Sequence, residues 1–234
     1  MYKNKKIMAF IPARGGSKSI IGKNLSLFNG KPLLYYTFKT ALETPSIDDI
    51  YISTDNTEIA DYTTRFSNKI QIINRPKELS LDTSKTIEAV MHALKELKSK
   101  NKIYDYMIIL QPTSPLRQVF HIEEIIKQGI DNNQDDIVSI HKIQHNPVLT
   151  RYRDHGMLIH PILNTTSTVR RQDMKTPYYV NGLLYFYKIA DLTLETSLND
   201  ARYGYEVEEK YCPDINRLLD IDLCSIFPFF KDNK

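Results

Sequence analysis

"KIMAFIPARGGSKSIIGKN" (residues 6–24) couples an apolar run to a cationic glycine loop, and its reading decides the fold. "KIMAFIPA" reads as a buried strand. The loop then brings Gly15 and Gly16 together with Arg14, Lys18 and Lys23, three cations within ten residues. The two glycines allow φ > 0 and close backbone approach, so their N–H groups can face anionic oxygens. Arg14 offers a planar fork suited to phosphate, and the lysines offer compact charges. The charge density suits a triphosphate better than a monophosphate. Two common phosphate loops are excluded by spacing. GxxxxGK[ST] fails because Ser17 stands where the first Gly belongs and Asn24 where Ser or Thr belongs. GxGxxG fails because Gly15 and Gly16 are adjacent and no third Gly follows in place.

The same pattern repeats outward along the chain. "DIYIST" (49–54), "KIQIIN" (69–74), "DYMIIL" (105–110), "DIVSIHKI" (136–143) and "VNGLLYFYK" (180–188) read as strands. Helices are expected over 31–43, over "TEIADYTTRF", after Ser84 and over "VFHIEEIIKQGI", with a last one near the C-terminus. Asp82, Thr83 and Ser84 are candidate N-caps of the third of these. Alternating strands and helices imply an α/β fold with a mostly parallel sheet covered on both faces. Ligands bind such sheets beyond the carboxyl ends of the strands. The loops at 12–24, 53–56 and 111–117 should therefore line one crevice. From about 144 to 178 the helical periodicity stops. That stretch reads as an arm with short strands, inserted into a single domain spanning 1–234, and it has too few apolar residues for a core of its own. Such an arm packs on a partner subunit.

Composition excludes several classes. At 234 residues, with 41% hydrophobic and 25% charged, the chain is of ordinary globular type. A net charge of +3 is too small to imply nucleic acid. No run approaches a membrane span, and the apolar N-terminal stretch is too short for a signal segment. Cys212 and Cys224 lie in no CxxC or Cys/His cluster, so neither a zinc site nor a disulfide is expected. The expectation is a reduced cytoplasmic protein that binds neither nucleic acid nor membrane.

"IPARGGSKSIIGKN" and "LQPTSPLR" (110–117) together resemble the acylneuraminate cytidylyltransferase family, which includes enzymes activating sialic, legionaminic and pseudaminic acids. "ISTD" (52–55), "NRPKELSLDTS" (74–84), "NGLLYF" (181–186) and "DINRLLD" (214–220) match in the same order, so the likeness runs from residue 7 to about 222. It implies a three-layer Rossmann-like nucleotidyltransferase fold with an inserted dimerisation arm, and a homodimer. The implied reaction is attack of the anomeric hydroxyl of a nine-carbon 2-keto sugar acid on the α-phosphate of CTP. The products are a CMP-sugar and pyrophosphate, and Mg²⁺ assists.

The resemblance also implies residue roles. Arg14, Gly15, Ser17, Lys18, Lys23 and Asn24 fall on the triphosphate loop, with Asn24 assigned to the cytosine. Arg14 and Lys23 would neutralise charge on the departing pyrophosphate, which makes them catalytic candidates with Asp214. Arg75 and Ser84 lie in the nucleoside loop, where Asp82, Thr83 and Ser84 are equally readable as helix caps. Asp55 either faces the crevice or caps a turn. Gln111, Arg171, Asn181 and Tyr185 map to the sugar, with Arg170 as a one-residue alternative to Arg171. Arg117 is read as structural. The metal falls to Asp214 and Asn216.

Two departures stand out. The family has a second Asp where this chain has Asn216, which brings no charge to the metal. Leu149 stands where sialic-acid enzymes carry a Lys, a hint toward legionaminic or another bacterial nonulosonic acid. Two alternatives keep the same machinery: the reaction on the eight-carbon sugar Kdo, or a CTP-binding homologue with impaired catalysis. No residue reads as a covalent nucleophile.

Overall fold

The computed structural model describes residues 1–17, 20–156, 159–164, 168, 170 and 173–225. Its centre is β1 (Ile7–Pro12), whose residues alternate between two cores. Ile7, Ala9 and Ile11 face one apolar cluster, while Met8 and Phe10 face another. All five are fully buried, as expected of a strand covered on both sides. β4 (Asp49–Thr54) and β5 (Ile70–Asn74) add in parallel on one flank. β6 (Tyr106–Ile109) pairs in parallel on the other. Next come β10 (Tyr178–Lys188), β7 (Asp136–Lys142) and β11 (Tyr203–Glu206), giving the order β11-β7-β10-β6-β1-β4-β5. Two further pairs stand outside this sheet: β2 (Leu27–Phe28) with β3 (Lys31–Pro32), and β8 (Arg151–Arg153) with β9 (Ile159–Pro161).

Three helices cover one face. α1 (Leu33–Leu42), α2 (Thr57–Phe66) and α4 (Val119–Asp131) contribute Leu34, Phe38, Ile59, Ile122 and Ile125 to the first cluster. α3 (Thr86–Ser99) covers the opposite face through Ile87, Val90 and Leu97. α5 (Leu218–Ser225) follows the last loop. The sheet is mostly parallel, as its alternating elements predict. Only β10 runs against its neighbours, antiparallel to both β6 and β7. The reason is the arm. Tyr178 pairs with Lys142, so the chain leaves β7, makes its excursion and returns beside the strand that it left. The excursion closes where the loss of periodicity places it, and it contains the antiparallel pair β8 and β9.

Two elements depart from expectation. α3 starts at Thr86, and its N-cap is Lys85, not Asp82, Thr83 or Ser84. The Lys85 N–H donates to Glu88 Oε2 at 2.9 Å, half of a capping box. Ser84 instead ties its own loop, accepting from Leu81 N and donating to Glu78 O. β11 was not expected, because "RYGYEVEEKY" offers only one buried strand residue before Val207, namely Tyr205.

Candidate active site

The chain progresses from β1 through β4 to β5 on one side and then crosses back to place β6 on the other. That reversal leaves a crevice beyond the carboxyl end of β1. A cavity of about 440 Å³ opens there, lined by Arg14, Ser17, Lys23 and Asn24 from the first loop. Arg75 and Ser84 enter it from the loop after β5, and Gln111 from the loop after β6. Two of the three expected loops, 12–24 and 111–117, thus meet. The third lining loop is the one after β5, while 53–56 does not line this cavity and joins the first loop through Asp55.

Each cation is held by identifiable contacts. Arg14 Nη1 donates to Leu81 O at 2.5 Å, and Nη2 bridges Asp82 Oδ1 at 2.9 Å. The first loop is thereby latched to the nucleoside loop. Asn24 Nδ2 donates to Arg14 O at 2.9 Å, closing the first loop on itself. Lys23 Nζ donates to Ile215 O at 3.1 Å and to Asn216 Oδ1 at 3.2 Å. Burial lowers the Lys23 pKa, the charges of Asp214 and Asp220 work against that, and Arg14 adds to it. Arg75 is 8% exposed and donates through Nε to Ser53 Oγ and through Nη2 to Ser53 O, at 3.0 and 2.9 Å. Burial lowers its pKa to about 10, against the pull of Asp55, so the guanidinium stays charged at neutral pH.

The glycines act differently from the expectation. Neither Gly15 nor Gly16 has a positive φ; in this loop that conformation belongs to Gly22, at 64°. Gly15 is required by close approach, since a Cβ there would lie 2.7 Å from Asn56 Cβ. Its N–H donates to Asp55 Oδ1 at 2.8 Å. Asp55 therefore fastens the glycine loop to the end of β4. A small apolar cluster of Ile20, Phe28, Leu33, Leu116 and Ile215 ties the first loop and the loop after β6 to the last segment. Lys18 and Arg171 lie outside the described residues.

A second cavity, of about 420 Å³, adjoins the first through Ser84, Lys85, Thr86 and Gln111. It is lined by Tyr185 and by Thr196, Ser197 and Asn199 of the loop after β10. Tyr185 OH donates to Asn199 Oδ1 at 3.1 Å, and burial pushes its pKa up to about 12, with Asp214 adding to the effect. Gln111 and Tyr185 thus face a hydroxyl-rich space, and Gln111 stands where the two cavities meet. Lys85, Thr196, Ser197 and Asn199 were not among the sequence candidates. The polar run "TLETSLND" after a strand was the available signal.

Other candidates go elsewhere. Asn181 is 5% exposed and does not line either cavity. Its Oδ1 accepts from Ser139 Oγ and Leu183 N, and its Nδ2 donates to Cys212 Sγ. It pins the bulge in β10 where Gly182 takes a φ of 73°. Arg170 is exposed and paired with Asp173 at 2.7 Å. Leu149 is exposed at the base of the arm, where it lines a separate cavity with Lys142, His145 and Lys175. Cys212 is a buried free thiol.

Asn216 Nδ2 donates to Asp214 Oδ2 at 2.6 Å, while its Oδ1 accepts from Lys23. The amide is thus a bridge between carboxylate and ammonium, with its oxygen engaged by Lys23. Asp220 accepts from the N–H groups of Asn216 and Arg217 and fastens the start of α5. Among the described residues no group of three or more His, Cys, Asp or Glu side chains could hold a metal unaided. Asp214 alone, beside the cationic loop, fits a Mg²⁺ that takes its remaining ligands from phosphate and water.

Comparison with known proteins fits this geometry. The cytidylyltransferase family profile matches residues 8–215. The chain belongs to the cytidylyltransferase family. It is 30% identical to the CMP-N,N'-diacetyllegionaminic acid synthase of Legionella pneumophila over 93% of this chain and 91% of that protein. It is 29% identical to the N-acylneuraminate cytidylyltransferase of Streptococcus agalactiae serotype V over 90% of this chain, and spans half the length of that relative. Pseudaminic acid cytidylyltransferase of Campylobacter jejuni matches at 30% over 77% of this chain and 78% of its own. Among solved structures, CMP:2-keto-3-deoxy-manno-octonic acid synthetase complexed with CTP superposes with a TM-score of 0.70 at 18% identity. It covers 94% of this chain and 97% of that one, a likeness of fold. The family membership and fold inferred from the six ordered segments are thereby established. No helix among the described residues is long and apolar enough to cross a membrane.

Proposed function

We propose that this chain transfers CMP from CTP to the anomeric hydroxyl of a nine-carbon 2-keto sugar acid, releasing pyrophosphate. The observation that carries this reading is the pair of cavities meeting at Gln111. One side is cationic, with Arg14, Lys23 and Arg75, as a triphosphate demands. The other presents Tyr185, Ser and Thr hydroxyls, an amide and Lys85, as a polyhydroxylated acid demands. The names of the Legionella, Streptococcus and Campylobacter relatives point to the same substrate class. The likeness to the 2-keto-3-deoxy-manno-octonic acid enzyme is one of fold and does not favour that sugar.

The chemistry needs little from the protein beyond position and charge. The sugar hydroxyl, held beside Gln111, attacks the α-phosphorus and gives its proton to water, while the bond to pyrophosphate breaks on the opposite side. Lys23 and Arg14 are placed to stabilise the negative charge gathering on the leaving oxygens. Lys23 is preset for this by its two neutral acceptors, Ile215 O and Asn216 Oδ1. Arg14 meets phosphate by exchanging Asp82 for it. Asp214 would hold the Mg²⁺, which supplies further positive charge at the phosphates. No covalent enzyme intermediate is required, because the sugar hydroxyl is itself the nucleophile.

The chain acts as a homodimer in this reading, with the apolar arm covered by a second copy. In this reading the chain works in the cytoplasm, where CTP is available. The test is a pyrophosphate-release assay with CTP and Mg²⁺ over sialic, legionaminic, pseudaminic and Kdo acids. Release with a nonulosonic acid, and none when CTP, Mg²⁺ or the acid is omitted, is the expected result. No release with any acid, together with no CTP binding, would sink the reading.

A further inference from the structure

A fourth cavity, of about 360 Å³, lies between α1 and the start of α4 and shares no lining residue with the three already described. Arg117 lines it, although only 2% of that residue is exposed. Its guanidinium donates to Leu183 O at 2.9 Å, Thr37 Oγ1 at 3.3 Å and Gln111 O at 2.6 Å. All three acceptors are neutral. Arginine has five N–H donors, so two remain beyond these three bonds. A buried cation ordinarily faces a carboxylate, because desolvating it unpaired is costly. Here no carboxylate among the described residues bridges Arg117, and burial alone acts on its pKa, lowering it to about 9. Two more cations, Lys31 and Lys39, are exposed at the cavity mouth. Tyr35 and Tyr36 form a wall, and Glu43 is the acidic side chain on the lining.

We propose that this cavity is a second anion site, taking a small phosphate-bearing anion and transmitting its occupancy to Gln111. The planar fork of Arg117 suits phosphate oxygens, and the two lysines add attraction at the entrance. The link to Gln111 is direct. The guanidinium that would hold the anion also holds the Gln111 carbonyl and, through Leu183, the bulge of β10. Adding an anion strengthens the positioning of Arg117 and with it the 111–117 loop. The site is independent of the proposed transfer reaction, since it rests on Arg117 and its cavity alone.

Isothermal titration calorimetry with inorganic phosphate and with pyrophosphate tests this on the full chain. The Arg14→Ala/Lys23→Ala chain isolates the new site from the triphosphate loop, and one of the two anions is expected to bind it at a single site. Adding Lys31→Ala and Lys39→Ala is expected to weaken that binding roughly tenfold, each partly exposed cation contributing a modest attraction. The Lys31→Ala/Lys39→Ala chain with an intact first loop is expected to keep one of two sites unchanged and to weaken the other by the same factor. No binding outside the first loop, or binding indifferent to both lysines, overturns the site. Hydrogen exchange over residues 111–117 is expected to slow when the anion binds, and unchanged exchange overturns the link to Gln111.

Discussion

Gly15 and Gly16 are chemically identical neighbours with opposite tolerance for a methyl group. At Gly15 an added Cβ meets Asn56, whose Oδ1 accepts from Ile59 N and caps α2. At Gly16 an added Cβ meets nothing within 4 Å. Gly15→Ala is therefore expected to destabilise the chain by about 1–3 kcal/mol through a displaced cap and overpacking. Gly16→Ala is expected to stay within about 0.5 kcal/mol. Urea unfolding of both variants checks this, and equal losses would refute the assignment of Gly15 to the contact with α2. The sequence marked the pair but could not rank it, because the neighbour that decides is 41 positions away. Asn216 shows the same limit. Its residue type showed that a charge was missing, while its part as a bridge from Lys23 to Asp214 needed coordinates. Asn216→Asp replaces that 2.6 Å bond with two facing carboxylates. Its melting temperature in EDTA is expected to fall below that of the parent chain, and added MgCl₂ is expected to recover the difference. A variant whose melting ignores Mg²⁺ would argue against Asp214 as the metal residue.

At the scale of elements, the start of α4 is held by a histidine. His121 is 1% exposed, and its Nδ1 accepts from Gln118 N at 3.1 Å, which requires the neutral ring. Burial and then the charge of Arg117 push its pKa down to about 4, with Lys210 acting the same way and Glu208 opposing. The unfolded chain takes up this proton near pH 6.5 and the folded chain only near 4. Between those values the unfolded state binds more protons, so stability is complete above pH 6.5 and falls as pH drops through the window. The loss is on the order of 3 kcal/mol by pH 4. His121→Phe is expected to be less stable at pH 7.5 and to lose less on going to pH 5, as read by urea unfolding at both pH values. An equal pH dependence in the two chains would refute the role. The elements themselves were legible wherever periodicity was strong: "DIYIST" and "TEIADYTTRF" are bounded as their patterns predict. The start of α3 was misplaced because three good capping residues stand just before it, yet the loop uses Asp82 and Ser84 for its own contacts. The reversal of β10 carries no local signature. It follows from where the arm closes.

At the scale of the molecule, the arm is the part without a core. β8 and β9 form a two-stranded ribbon outside the main sheet, and such a ribbon is marginal on its own in water. Leu149, Tyr152, Ile159, Ile162 and Tyr179 are all more than half exposed along it and its base. An apolar surface concentrated on one excursion is the mark of a covered face. A second copy of the chain can cover it by symmetry, since the same patch on each copy meets its counterpart. Light scattering on the parent chain is expected to give twice the chain mass. Ile159→Asp with Ile162→Asp places two charges on the ribbon and is expected to give the single-chain mass, with the fold of the main sheet kept in circular dichroism. Among the described residues β8 and β9 pair only with each other, so CTP binding should survive the split. A parent chain that is already monomeric would refute the dimer. A charged variant that stays dimeric would move the interface off the arm.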